Sequence, residues 1–350
     1  MPRTPLLSAL SLLALLLAAA PARAGRFEDR ALQGRRYQVF VPAMYHTGQP
    51  TPLVVLLHGC TQDPATFARA TRIAEAAERR GWLVLLPEQP ASANQNRCWN
   101  WFEAAHQGRD AGEPRWIAAC VQDALREWSV DRERVYVAGL SAGAAMSVIM
   151  GVTWPDLFAA VGVGAGLEYE AATGMVEAFA AMRQGGPDPA RQARRALSVM
   201  GPRARAVPAI VVQGSADTTV APVNGEQVAA MWVALSGQVD PAGAPLAAPP
   251  AQQVAPGGLR YEVQDWADPA GRVCVRKVVV QGMAHAWSGG SRDGTFVDPA
   301  GPDATELCLD FFAAHTLSGL GSVPPPAPAP PAPAPAPTPP APIAPTPIAP

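Results

Sequence analysis

Charge is scarce in this sequence and follows no pattern. Charged side chains make up 16% of the 350 residues, the formal net charge is -2, and no basic run occurs, so the electrostatic footprint of a nucleic-acid binder is missing. Neither a Cys-x-x-Cys pair nor a His/Cys cluster has metal-site spacing, and no metal or cofactor is expected. No apolar run spans a membrane comfortably: Leu6 to Ala20 holds about 15 residues where a spanning helix needs about 20. What is abundant is apolar side chain overall, 49% of the residues, sufficient for a real core and too much for a wholly disordered chain.

The two ends read as something other than fold. Met1-Pro2-Arg3, the Leu6–Ala20 stretch and Pro21-Ala22-Arg23-Ala24 have the layout of a secretory signal: a basic start, an apolar centre and small residues before a cut. Residues 1–24 are therefore expected to be removed, leaving a secreted protein, extracellular or periplasmic, without an integral membrane span. No Cys follows to accept a lipid. At the other end 15 of the 39 prolines fall within 324–350, mostly alternating with alanine. They cannot supply backbone donors, and this tail is expected to be a disordered, semi-rigid spacer. Residues 25–323 remain for one catalytic domain. Export makes the cysteines potential disulfides, and because there are five, at least one stays free. Cys60 and Cys98 both follow apolar strands in loops, whereas Cys120 lies in a helical pattern. The expected pairs are Cys60 with Cys98 and Cys274 with Cys308.

Short apolar runs alternate with helical patterns through 25–323. Leu53–Leu57, Leu83–Leu86, Val135–Ala138, Ala160–Val163 and Ala209–Val212 read as strands buried on both faces. Val275–Gln281 is a sixth, and Tyr37–Val41 alternates like an antiparallel edge strand. Helical segments lie around Ala65–Arg80, Pro114–Trp128, Ala142–Val152, Val223–Leu235 and Ala304–His315. This α/β alternation predicts a mostly parallel central sheet flanked by helices, with ligands bound beyond the carboxyl ends of its strands.

Chemistry-bearing residues stand at those strand ends. Gly139-Leu140-Ser141-Ala142-Gly143 follows the Val135 strand and opens a helix, the strand-turn-helix context in which Gly-x-Ser-x-Gly exposes a nucleophile. A serine hydroxyl needs a base. Of the five histidines, His285 lies just past the last strand, whereas His58 at a strand end reads as a turn-shaping residue. Asp217 follows the Ala209 strand, between Ser141 and His285 in chain order, and is placed to orient the imidazole. Backbone N–H groups of Ala142, at a helix start, and of Cys60, in His58-Gly59-Cys60-Thr61-Gln62, are the expected oxyanion donors. Trp99 and Trp101, in the long connection from Pro87 to Glu113, and Trp287 beside the base are candidate walls of a substrate pocket.

Taken together, Leu57-His58-Gly59-Cys60-Thr61-Gln62, Cys98-Trp99-Asn100-Trp101-Phe102, Gly139–Gly143, Pro155-Asp156-Leu157-Phe158 and Gly282–Gly290 resemble the extracellular poly(3-hydroxybutyrate) depolymerase family of esterases, relatives of the feruloyl and acetylxylan esterases. The resemblance runs from about Arg36 to Phe312. It implies an α/β-hydrolase fold, carboxylic-ester hydrolysis by Ser141, Asp217 and His285, Cys60 as an oxyanion donor and Cys98 as its disulfide partner. The substrate it implies is a polyester or its oligomers, with feruloyl or acetylated plant polysaccharide as the alternative. Two further classes share the scaffold: an acyltransferase and a non-catalytic surface-binding protein.

Overall fold

Runs such as Leu53–Leu57 are apolar at every position, so they are stable only where both faces of a sheet are covered. In the computed structural model, which describes residues 24–320, that is where they lie. The expected leader, apart from Ala24, and the 324–350 tail fall outside the described residues. The chain forms β1 (Arg26–Leu32), β2 (Arg35–Val41), β3 (Thr51–Leu57), α1 (Pro64–Thr71), α2 (Ile73–Arg80), β4 (Leu83–Pro87), α3 (Gly112–Glu127), β5 (Val130–Leu140), α4 (Ala142–Thr153) and β6 (Ala160–Gly164). It continues through α5 (Met175–Gln184), α6 (Pro189–Met200), β7 (Ala209–Gly214), α7 (Val223–Val239), β8 (Leu246–Ala247), β9 (Ala251–Val254), β10 (Arg260–Ala267), β11 (Val273–Val280), β12 (Trp287–Ser288), β13 (Val297–Asp298) and α8 (Ala304–Ala313).

The main sheet runs β1-β2-β4-β3-β5-β6-β7-β11-β10-β8, with β9 also on β10. Its centre, β4-β3-β5-β6-β7-β11, is parallel, while β2 joins β4 and β10 joins β11 antiparallel. This is the α/β-hydrolase fold. Alternate residues of each central strand enter opposite cores. Leu53, Val55 and Leu57 join α3, α4, α5, α6 and α7 on one face, and Val54 and Leu56 join α1, α2 and α8 on the other. Among the described residues no helix is long and apolar enough to cross a membrane.

Several elements depart from the sequence expectations. The single helix around Ala65–Arg80 is two, because Arg72 takes a left-handed φ of 53°. Its guanidinium reaches Gly289 O and Asp303 Oδ2, both at 2.6 Å, which fastens the break to the far end of the chain. Asp63 caps α1 through Thr66 N–H at 2.8 Å, ahead of Pro64. At β5 the strand begins at Val130, earlier than its apolar run, and its polar start is held by an Arg134–Asp131 pair at 2.6 Å. Beyond α8 the chain returns to this polar start, where Leu317 N–H donates to Glu133 O at 2.9 Å.

Cys60 and Cys98 form a disulfide, as expected. The expected Cys274–Cys308 pair does not form, and both thiols are free together with Cys120. The reason is the sheet itself. Cys274 packs against the core on the α3–α7 side, whereas Cys308 is buried in the α8 core on the opposite face. Burial also pushes the Cys308 thiol up to about 12, so it has little thiolate with which to react. Alkylation of the unfolded, unreduced domain should modify Cys120, Cys274 and Cys308 and leave Cys60 and Cys98 untouched; peptide mass mapping that finds Cys274 joined to Cys308 would contradict the assignment.

Candidate active site

Ser141 occupies the one-residue turn between β5 and α4, with φ 58° and ψ -121°. The geometry follows from how closely α4 approaches the sheet. A Cβ on Gly143 would lie 2.2 Å from Leu57 O, and one on Gly139 would lie 2.4 Å from the Gly143 carbonyl. Both motif glycines are thus required by backbone contact, and the serine between them is forced into a conformation that costs about 1–3 kcal/mol. Ser141 N–H is held by Gly164 O at 2.9 Å.

The acid and base are brought together on neighbouring loops. Ser215 N–H donates to Val280 O at 2.9 Å and Ala216 N–H to Met283 O at 3.0 Å, zipping the segment after β7 to the segment after β11. Asp217, 3% exposed, then meets His285, with Oδ2 accepting from Nδ1 at 2.7 Å. Its Oδ1 accepts from the N–H groups of Thr219 and Val220, both at 2.9 Å, and Gln213 Nε2 donates to Oδ2 at 3.3 Å. A carboxylate so fully bonded is fixed in place, and it holds the imidazole as the Nδ1–H tautomer with Nε2 left basic. Trp287, two residues past His285, lies 3.1 Å from where a Cβ would stand on Gly164, the residue whose carbonyl holds Ser141 N–H. Among the described residues the Ser141 hydroxyl makes no hydrogen bond to His285.

The expected oxyanion loop lies against the serine, since a Cβ on Gly59 would stand 3.7 Å from Ser141 Cβ. Its conformation is held from behind. His58 Nε2 accepts from Gln89 N–H at 3.1 Å, which assigns the proton to Nδ1, and Nδ1 donates to Gly59 O at 2.8 Å. Since a trans peptide points its N–H away from its C=O, this bond turns Cys60 N–H outward. Burial drives the His58 pKa down to about 4, so at neutral pH it is the turn-shaping residue the sequence suggested. Among the described residues neither Cys60 N–H nor Ala142 N–H has an acceptor.

The three tryptophans behave differently from expectation. Trp99 is fully buried and gives its indole N–H to His58 O at 3.1 Å. Trp101 packs edge-on against Phe102, and Trp287 stands edge-on to Phe67 and donates to Thr305 Oγ1 at 3.0 Å. All three are core residues that brace the loops, and the pocket-wall assignment is corrected accordingly. A cavity of about 630 Å³ lies against α5 and α6, lined by residues including Ala172, Glu177, Arg191 and Arg195 and by none of Ser141, Asp217 or His285. The sequence reading also passed over Glu113. Buried beneath the Cys98–Phe102 segment, its carboxyl accepts from Asn100 N–H and Nδ2, both at 2.8 Å, and from Gln89 Nε2. A charged residue amid the apolar face of a helix was the available signal. No group of three or more His, Cys, Asp or Glu placed to hold a metal occurs among the described residues.

Comparison with known proteins places this geometry. The chain matches the esterase PHB depolymerase family over residues 36–256. It belongs to that family. Among its relatives are the poly(3-hydroxyalkanoate) depolymerase C of Paucimonas lemoignei, 35% identical over 72% of this chain and 58% of the relative, and acetylxylan esterase A of Talaromyces purpureogenus, 30% identical over 60% of this chain and 56% of the relative. The chain thus spans little more than half the length of these curated relatives. The acetyl xylan esterase from Aspergillus awamori superposes with a TM-score of 0.62 over 75% of this chain and 94% of its own, at 22% identity, a likeness of fold.

Two measurements test the local physics. Because glycine relieves the strain at position 141, Ser141→Gly should be about 1 kcal/mol more stable than Ser141→Ala in urea unfolding, and an equal or reversed order would count against strain there. For His58, both states hold a neutral ring well above pH 6.5. As pH falls below that value the unfolded chain takes up a proton that the folded site refuses down to about 4, so stability falls through this window by up to about 3 kcal/mol. His58→Gln should flatten that part of the pH–stability curve.

Proposed function

We propose that the protein is a secreted serine esterase that hydrolyses carboxylic esters through an acyl-enzyme. The observation that carries this reading is the bonded Asp217–His285 pair set at the same sheet edge as the strained Ser141 turn. His285 Nε2 takes the hydroxyl proton as Ser141 Oγ attacks the ester carbonyl. The tetrahedral oxyanion rests on the N–H groups of Cys60 and Ala142, the latter at the positive end of α4. Collapse expels the alcohol, which receives its proton from His285, and a water activated by the same imidazole then releases the acid and restores Ser141. None of these steps calls on a cofactor. The signal-like start of the sequence and the Cys60–Cys98 disulfide support export.

As substrate we favour a polyester of the poly(3-hydroxybutyrate) type or its oligomers, on the strength of the family and the Paucimonas relative. The acetylxylan esterase relatives support acylated plant polysaccharide as the second reading. Ser141→Ala should lower turnover of p-nitrophenyl esters at least about 10³-fold and prevent labelling by a fluorophosphonate. Full activity in that variant would overturn the serine mechanism, and failure of the wild type to label would favour a non-catalytic surface protein. Hydroxybutyrate oligomers, feruloyl sugars and acetylated xylan, compared by kcat/KM, rank the substrates, and new ester formed with an added alcohol in preference to free acid would indicate an acyltransferase.

A further inference from the structure

Gln62 is a buried polar link between the loop after β3 and the segment after His285, and the serine mechanism does not employ it directly. Its side chain is 1% exposed. Oε1 accepts from Gly59 N–H at 2.9 Å, while Nε2 donates to both Thr295 O and Thr295 Oγ1 at 3.1 Å, across 233 residues of sequence. Each partner is significant. Gly59 directly precedes the oxyanion donor Cys60, and its carbonyl is already fixed by His58. Thr295 directly precedes Phe296, which stands edge-on to His285 with 6.4 Å between ring centroids and whose carbonyl accepts from Trp287 N–H at 2.7 Å. The β12–β13 pairing, Trp287 with Val297, then ties this segment to the chain two residues past the base.

We infer that Gln62 is a positioning residue that fixes the distance between the oxyanion loop and the base-bearing segment, so that Cys60 N–H and His285 address the same tetrahedral centre. The inference rests on the serine-esterase reading and specifies how its parts are registered. The physical argument is one of leverage. Without Gln62 the loop remains attached to its own side of the molecule through His58, Trp99 and the disulfide, and the base remains attached to Asp217. What is lost is their mutual alignment, along with the acceptor for a buried N–H. Misplacement by about 1 Å is felt in the transition state far more than in the Michaelis complex.

The test uses the full chain and three variants. Gln62→Leu removes all three side-chain bonds, Thr295→Val removes a single acceptor from an exposed residue, and Thr295→Ser retains that acceptor. Gln62→Leu should lower kcat by about 10- to 100-fold with KM within about twofold, and should weaken an arylboronic acid, which mimics the tetrahedral state, by the same factor. Thr295→Val should show a smaller loss of the same kind, with Thr295→Ser restoring it. The double variant should be no worse than Gln62→Leu alone, because the same link is already cut. Fluorophosphonate labelling of the wild type separates the two levels of the argument: no labelling removes the serine reading. Labelling with unchanged kcat and boronate affinity in Gln62→Leu overturns the role of Gln62 alone. Should Gln62→Leu fail to fold, the Thr295 pair decides, and Thr295→Val at wild-type kcat overturns the inference.

Discussion

The first turn of α4 is pressed against the ends of β3 and β5 with no room for a side chain, and the rest of the site is arranged around that contact. Gly143 touches the Leu57 and His58 carbonyls, so the helix begins immediately beside the strand that feeds the oxyanion loop. One backbone approach therefore does three things. It strains the Ser141 turn, puts the positive end of α4 at the serine, and sets the loop carrying Cys60 against the same turn.

The loop after β3 is held by an unusual density of restraints for a surface segment. His58 grips Gly59 from below, Trp99 grips His58, the Cys60–Cys98 disulfide joins the two loops, and the Glu113 carboxyl gathers Asn100 and Gln89. Burial raises the Glu113 pKa, opposed by His106, by these hydrogen bonds and by Arg35. A buried carboxyl is stabilising only when its bonds are complete, and here they come from Gln89 and Asn100 in the β4–α3 connection, the segment to which the disulfide ties Cys60. The tryptophans of this region are buried and spent on rigidity.

Much of this was legible in the sequence, for identifiable reasons. Strands buried on both faces announce themselves by unbroken apolar runs, and a serine between two glycines at such a strand's end specifies its turn. The meeting of Asp217 and His285 on neighbouring loops then followed from which strand each residue trails. Helices α5 and α6 were not legible: α5 buries only Ala178 and Ala181, and α6 buries Ala193 and Ala196 with Gln192 and Met200, so neither shows a stripe of large apolar residues. In α5 the large apolar residues Val176 and Phe179 face outward, which inverts the usual stripe. The Cys274–Cys308 expectation failed because a strand's two faces cannot be assigned without its register, and β10–β11 pairing shifts at Trp266/Ala267, opposite Cys274. The Gln62–Thr295 link spans so much sequence that no local pattern could have shown it.

The return of the chain to the beginning of β5 has a consequence for orientation. Leu317 bonds to Glu133, and the eight residues of β5 and its turn from there to Ser141 extend about 26 Å. Anything attached beyond Leu320 therefore starts from the back of the domain. A load pulled through Leu320 would draw on the rear rim of the sheet.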